Sequence, residues 1–296
     1  MSKKIPNIDF IGKKNYALTF SIIITILSII LLFSKGLNLS IDFKGGTIIE
    51  FHTANKNVEK ELKELLIDKY TDVEIHKVTL DNRSNICCNY DLKIGVDTDD
   101  IIDSITHTIK DNSPDVEFIK IDYIGPKIGA NFISDSIKAI LLSLLAMMAY
   151  VWIRFDLKYS FGVMLALLHD IIITLGFFSL SNLQFDLTSI AVMLTIIGYS
   201  INDSIVIYDR IRENLNSDLN KIRKNEFSIL INRSMNETLT RTIMTSLTTL
   251  VVSITLLIFG GDALRSFSAG LSFGIAFGTY SSIYISAPVL IFFCKK

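Results

Sequence analysis

The apolar residues of this chain come in blocks. The first block, residues 16–34, holds no charged side chain and is long enough to cross a bilayer. Its length exceeds a usual signal-peptide core and no small-residue cleavage site follows, which predicts a retained anchor. Residues 36–134 then turn charged and mixed. Apolar runs return at 136–153, 159–181, 187–208, 242–259 and 267–293. The pattern predicts six spanning helices, one before a polar insert and five after it.

Inside the insert the period changes repeatedly. Residues 39–53 are of β type around Gly45 and Gly46. Residues 58–70 place apolar side chains at Val58, Leu62, Leu65, Leu66 and Tyr70, a helical spacing. Residues 73–80 alternate like a half-buried strand, residues 81–84 (DNRS) read as a turn, and residues 86–96 read as another strand. A second helix is predicted from Thr98 or Asp99, either of which would cap it, through Lys110, with Ile101, Ile102, Ile105 and Ile109 on one stripe. Residues 115–124 alternate again. The order β-α-β-β-α-β is the ferredoxin-like pattern, which fits many roles and names none.

Composition sharpens the membrane reading. Half of the 296 residues are apolar, a fifth are charged, and the net charge is −1; mean hydropathy is +0.44, high for a soluble domain. The near-neutral charge argues against a general nucleic-acid binder. Three cysteines, Cys87, Cys88 and Cys294, are too few for a disulfide framework and read as free thiols. Lys and Arg concentrate at the N-terminus, at Arg154 and Lys158, in the 209–240 loop and at Lys295 and Lys296. The opposite short loops, 182–186 and 260–266, hold one basic residue, Arg265. This asymmetry predicts both termini on the cytoplasmic side and the insert outside.

Candidate chemistry lies within the spans. Asp203 sits in the fourth run beside Asn202 and Ser204, about 7–8 Å from its inner end. An ionised carboxylate in mid-span costs about 2.5–3.5 kcal/mol on insertion scales, and less near the ends. It therefore needs a partner or a proton. Thr195, Tyr199 and Asp203 share one helix face. Arg241 opens the fifth run, with Thr245 and Thr249 on the same stripe, and lies at a depth similar to Asp203. A buried Asp–Arg pair opened by protonation would serve as a proton relay, with Tyr199, Asn202 and Thr245 as its polar surroundings. The alternative is a snorkelling Arg241 and an Asp203 that only bonds a neighbouring helix.

His169 and Asp170 are adjacent in the third run. Adjacent helical positions diverge by about 100°, so the favoured reading is packing or hydration, with membership of a polar network as the alternative. The other histidines, His52, His76 and His107, show no metal-ligand spacing, and no metal site or cofactor is predicted. Gly270, Gly274 and Gly278 form two overlapping GxxxG steps and predict close helix packing. The charged 209–240 segment reads as a partly helical connection. No nucleotide-binding or hydrolase motif occurs, so no enzyme activity is expected.

Five ordered motifs carry a resemblance. Residues 41–47 (IDFKGGT) resemble the DFxGGT signature of the SecF family of bacterial preprotein translocase subunits, at Asp42, Gly45 and Gly46. Residues 198–214 (GYSINDSIVIYDRIREN), 236–246 (NETLTRTIMTS), 259–261 (FGG) and 278–284 (GTYSSIY) follow in the family's order. The resemblance covers nearly the whole chain. It implies a polytopic α-helical membrane protein, an RND-like half with six transmembrane helices and a ferredoxin-like periplasmic domain, in the bacterial inner membrane. The implied divisions are 1–35 (N-terminus and first span), 36–134 (periplasmic domain) and 135–296 (spans two to six, with the 209–240 cytoplasmic loop).

Such proteins pair with SecD, assist the SecYEG channel and the SecA motor, and use the proton-motive force to promote late export of preproteins. The resemblance assigns Asp203 and Arg241 to a proton site completed by an aspartate of SecD, and gives the insert a supporting role. Two other readings compete: half of an RND-type small-molecule/proton antiporter, and a structural scaffold.

Overall fold

The computed structural model describes residues 7–53, 62, 64, 66, 74–79, 88–94, 99–112, 114–217, 226–261 and 264–293. Six helices are long and apolar enough to cross a membrane. The first five are Lys14–Ser34, Pro126–Arg154, Leu157–Ser181, Leu187–Ser217 and Glu226–Phe259. The sixth runs Arg265–Ser281, opens into a π-helical segment Ser282–Ser286, and closes as Ala287–Phe293. We call these the first to sixth spans.

Several spans exceed their apolar runs. The second begins ten residues before its run, at Pro126, where the missing N–H costs nothing. The fourth and fifth continue as polar helix to Ser217 and from Glu226, so much of the 209–240 segment is helical rather than loop. Local chemistry sets other boundaries. Asn182 closes the third span in a left-handed conformation, φ 56°. The Asp186 carboxylate starts the fourth span by accepting from the Ser189 backbone N–H (2.8 Å), while the Ser189 hydroxyl accepts the Asp186 N–H (3.2 Å).

The bundle is layered. The third, fourth and sixth spans are 61%, 50% and 56% buried over their most apolar stretches, while the first, second and fifth are 11%, 11% and 17% buried. Three spans thus form the centre. The first packs on the third, and the fifth on the fourth and sixth. The outer helices leave rows of apolar side chains exposed, among them Ile22, Ile26, Leu142, Val251 and Val252, as lipid-facing or partner-facing surfaces do. The core joins Val163, Leu167, Ile197, Ile201, Tyr208, Ile231 and Leu290.

The insert holds a four-stranded antiparallel sheet: β1 (Gly46–Thr53), β2 (Glu74–Thr79), β3 (Cys88–Ile94) and β4 (Glu117–Ile124), in spatial order β2-β3-β1-β4. Residues 62, 64 and 66 are helical between β1 and β2, and a helix Asp99–Asn112 joins β3 to β4. Ile49 and Phe51 of β1, Leu62 and Leu66, Leu92 and Ile94 of β3, and Ile105 and Ile109 of the helix fill one core. Thr98 and the 81–84 turn lie outside the described residues, as do Cys87 and Cys294.

The extended reading of residues 39–53 holds only from Gly46. Before it, Ile41–Lys44 form one helical turn capped by the Ser40 hydroxyl, which accepts from the Asp42 N–H at 3.0 Å. Phe43 drops into a cluster with Phe178, Phe185 and Met193 at the ends of the third and fourth spans. Gly45 then turns the chain into β1 at φ 86°, where an added Cβ would lie 3.1 Å from Pro126 backbone. Since β4 runs straight through Gly125 into the second span and pairs with β1 from Gly46↔Ile124, the sheet is rooted at the bundle through this turn.

Candidate intramembrane proton site

The fourth span carries the candidate carboxylate. Its run of Ile, Val, Met and Leu buries Val192, Met193, Ile196, Ile197 and Ile201 against the bundle, and the same helical face brings Asp203 inside, 2% exposed. Asp203 Oδ2 is buried and has no hydrogen-bond partner among the described residues. So are Tyr199 OH, Ser204 Oγ and Thr242 Oγ1. Three of these atoms fall within six consecutive fourth-span positions, 199–204, and the last lies on the fifth span. A buried polar group left unpaired costs about 1–3 kcal/mol, so such a set calls for a physical reason.

The expected ion pair is not formed. Arg241 exerts an electrostatic influence on Asp203, yet its side chain is exposed and no ion pair within 4.0 Å joins the two. The Thr245 and Ser246 hydroxyls border the carboxyl but are engaged with their own helix. Thr245 donates to Arg241 O at 3.1 Å and Thr242 O at 2.9 Å, and Ser246 donates to Thr242 O at 2.8 Å while meeting Thr279 Oγ1 of the sixth span at 2.6 Å. The helices meet as the depth argument predicts, while the charges stay apart. Tyr199 is half-buried beside Asp203. Asn202 and Thr195 face outward and stand outside this cluster.

A second buried polar cluster was not singled out by spacing. Asp170 (1% exposed) accepts from Ser200 Oγ at 2.7 Å and Ser281 Oγ at 2.6 Å on one oxygen, and its other oxygen lies 3.0 Å from His169 Nδ1. The two neighbours therefore do meet, correcting the reading that 100° of helical rotation keeps them apart. Both side chains reach sideways, and the hydroxyls come from helices whose arrangement no local pattern reveals.

At the polar end of the fourth and fifth spans, Glu237 gathers Arg210 Nε (2.6 Å), Arg233 Nε (2.9 Å) and Asn214 Nδ2 (2.8 Å). Asn214 also donates to Ser234 Oγ at 2.9 Å, and Arg154 pairs with Asp209 at 2.9 Å. This clamp fixes how the carboxylate-bearing helix meets its neighbour. The three glycines are where close packing needs them: Gly270 against Phe178, Gly274 against Ile196, and Gly278 3.3 Å (from an added Cβ) from the Ser200 Cβ. Asp42 sits at the other end of the fourth span, its Oδ2 accepting the Leu187 N–H at 3.4 Å.

These features define a class: a six-span helical membrane protein with a small extramembrane sheet and an unpaired carboxylate inside the bundle. Comparison with known proteins narrows it. The profile described as "Protein export membrane protein SecD/SecF, C-terminal" matches residues 104–296, and "SecD/SecF GG Motif" matches residues 30–55. "Protein translocase subunit SecF" of Rickettsia bellii is 41% identical over 300 aligned residues, covering 99% of this chain and 96% of the relative. The Rickettsia rickettsii protein of the same name is also 41% identical, covering 99% and 94%. The crystal structure of SecDF from Thermus thermophilus, described as a translocon-associated membrane protein, superposes with a TM-score of 0.82 at 34% identity over 98% of this chain. SecDF in a super-membrane-facing form gives 0.75 at 34% identity over 99%. The chain spans 39% of either solved SecDF chain. It belongs to the SecD/SecF family of protein export membrane proteins.

Proposed function

We propose that this chain is the SecF-type half of a proton-driven accessory complex of the Sec translocase. It pairs with a SecD-type partner, works beside the SecYEG channel and SecA, and promotes late steps of preprotein export across the bacterial inner membrane. It does so without a nucleotide site or a cofactor of its own. Both termini and the polar helical extensions face the cytoplasm, and the sheet-bearing domain, residues 36–134, faces the periplasm, supporting the complex more than gripping cargo. The solved SecDF chains are far longer than this one, which supports a partner supplying the remainder.

The observation that carries the reading is Asp203: a carboxylate 2% exposed in a spanning helix, with an oxygen that has no partner. A buried anion without a bonded counter-charge is costly, so occupancy by a proton and reach to Arg241 become the two terms of a switch. With Arg241 withdrawn, the arrangement corresponds to the protonated carboxyl. Loss of the proton draws Arg241 inward, past Thr245 and Tyr199, and shifts the fourth span against the fifth. The electrical part of the gradient supplies about 2.3 kcal/mol per charge per 100 mV.

The test is precursor export in cells depleted of their own copy and supplied with Asp203→Asn or Arg241→Met, with membrane abundance and co-purification of the SecD-type partner measured in parallel. Export should fall to the depleted level with a normally assembled complex. Normal, gradient-dependent export from Asp203→Asn would make this carboxylate a packing residue. Restored drug efflux instead of restored export by the wild-type chain would point to the small-molecule antiporter.

A further inference from the structure

We propose that His169 and Asp170 form a second proton-binding site of this chain, separate from Asp203 and tied to the fourth and sixth spans through Ser200 and Ser281. The proposal stands whether or not Asp203 works as a relay.

The geometry is that of a held imidazole. Asp170 is engaged at both oxygens. Oδ2 takes the hydroxyls of Ser200 (2.7 Å) and Ser281 (2.6 Å), and Oδ1 faces His169 Nδ1 at 3.0 Å. With Oδ2 accepting two hydroxyls, one hydrogen lies between Oδ1 and Nδ1, and we place it on Nδ1, the tautomer that a neighbouring carboxylate fixes. That leaves Nε2 as the basic atom of the neutral ring. It makes no hydrogen bond among the described residues, and the side chain keeps 7% of its surface accessible while Asp170 keeps 1%. A proton arriving at Nε2 turns the neutral ring into an imidazolium against an anion already fixed in place. The pair passes from one net negative charge to none, the stable condition for an ion pair inside a span.

Little else around the pair competes for the charge. His169 is the ionisable group that acts on Asp170. From the sixth span, the Tyr280 ring stands 6.5 Å from the imidazole, with its hydroxyl donating to Ala17 O of the first span and accepting from Ser21. The contacts from the fourth and sixth spans are the hydroxyls of Ser200 and Ser281. His169 is the one histidine of the four that lies in a spanning run.

The coupling runs through Ser281. Its hydroxyl has Asp170 Oδ2, Gly278 O at 3.0 Å and, more distantly, Ser200 Oγ at 3.5 Å as acceptors in reach, and one hydrogen to give. An unneutralised carboxylate pulls that hydrogen hardest, and an imidazolium beside it weakens the pull. Ser281 is the residue before the π-helical segment Ser282–Ser286, whose far end is held by Tyr208 OH accepting from Ser286 Oγ at 2.7 Å. Single-turn π segments inside α-helices are rare and frequent at functional sites. Proton occupancy at His169 thus bears, through Ser281, on this π-helical turn of the sixth span.

The experiment uses the complex with its SecD-type partner in lipid, with 15N-histidine in this chain alone and His52, His76 and His107 replaced by Gln. Nitrogen spectra across pH 5–9 should show His169 passing in one step from the Nδ1-protonated neutral ring to imidazolium. Asp170→Asn should abolish the step, and Asp203→Asn should leave it in place. Should Asp170→Asn fail to assemble, Ser281→Ala should still move the midpoint by about 0.5 pH unit or more, as loss of a bond to a charged acceptor requires. A ring unchanged from pH 5 to 9, a step indifferent to Asp170→Asn and Ser281→Ala, or a step lost in Asp203→Asn would each overturn the proposal.

Discussion

Glu237 shows how much a single side chain organises here. It is 7% exposed and takes bonds from Arg210, Arg233 and Asn214, which together join the polar ends of the fourth and fifth spans. Glu237→Ala takes one acceptor from two guanidinium groups and an amide, although Arg210 keeps Glu213 and Asn214 keeps Ser234. It should cost about 1.5–3 kcal/mol of stability, and Glu237→Gln less, read as the unfolding midpoint of the purified protein in detergent. Asp203→Asn should leave that midpoint little changed, because the protonated carboxyl and the amide are both neutral and nearly the same size. Asp203 was legible from the sequence because a charge in an apolar run stands out against its neighbours. Glu237 sits in a segment full of charges, where nothing local separates a clamp from a solvated face. Asp170 was visible but misjudged, since its partners Ser200 and Ser281 come from other helices and small hydroxyls leave no pattern.

Among the elements, the sixth span was the most fully readable. Three glycines at four-residue spacing announced a close contact, and each faces the third or fourth span. Gly274→Leu would drive a side chain into Ile196, so the bundle should lose compactness, seen as a lower unfolding midpoint and early protease cutting with the membrane fraction intact. The span boundaries were less legible. Hydropathy reports where lipid-compatible residues begin, while helix continues as long as backbone bonds and caps allow, which is why polar residues 209–217 and 226–241 extend the fourth and fifth spans. The turn at Gly45 was hidden for a similar reason. Residues 39–44 have β-type composition, but Ser40 caps a helical turn there, and Phe43 gains more from the cluster with Phe178 and Phe185 than an extended strand would offer. Gly45 holds a conformation that costs an L-residue about 1–3 kcal/mol. Gly45→Ala should therefore loosen the joint between sheet and bundle, measured as faster amide exchange along β1 and the start of the second span.

At the scale of the molecule, the first span occupies an unusual position. It is among the least buried helices, yet it is fastened at both ends. At one end the backbone of Ile8 and Phe10 is held by Asn232 and Asn236 of the fifth span, with contacts of 2.8 Å. At the other, Ser40 and Asn38 exchange backbone bonds of 2.9 and 2.7 Å with Phe185, just before the fourth span begins. Between the two fastenings lie the 21 residues of Lys14–Ser34, about 31 Å of helix, close to the thickness of a typical hydrocarbon core. A free helix answers a thicker or thinner bilayer by tilting. This one cannot tilt without pulling on the starts of the fourth and fifth spans, the helices that carry Asp203 and Arg241. Acyl-chain length is therefore a mechanical input to the protein. In vesicles of graded lipid chain length, proton-coupled activity should peak at one thickness and fall on either side, and Asn232→Ala with Asn236→Ala should flatten that peak by releasing one end of the gauge.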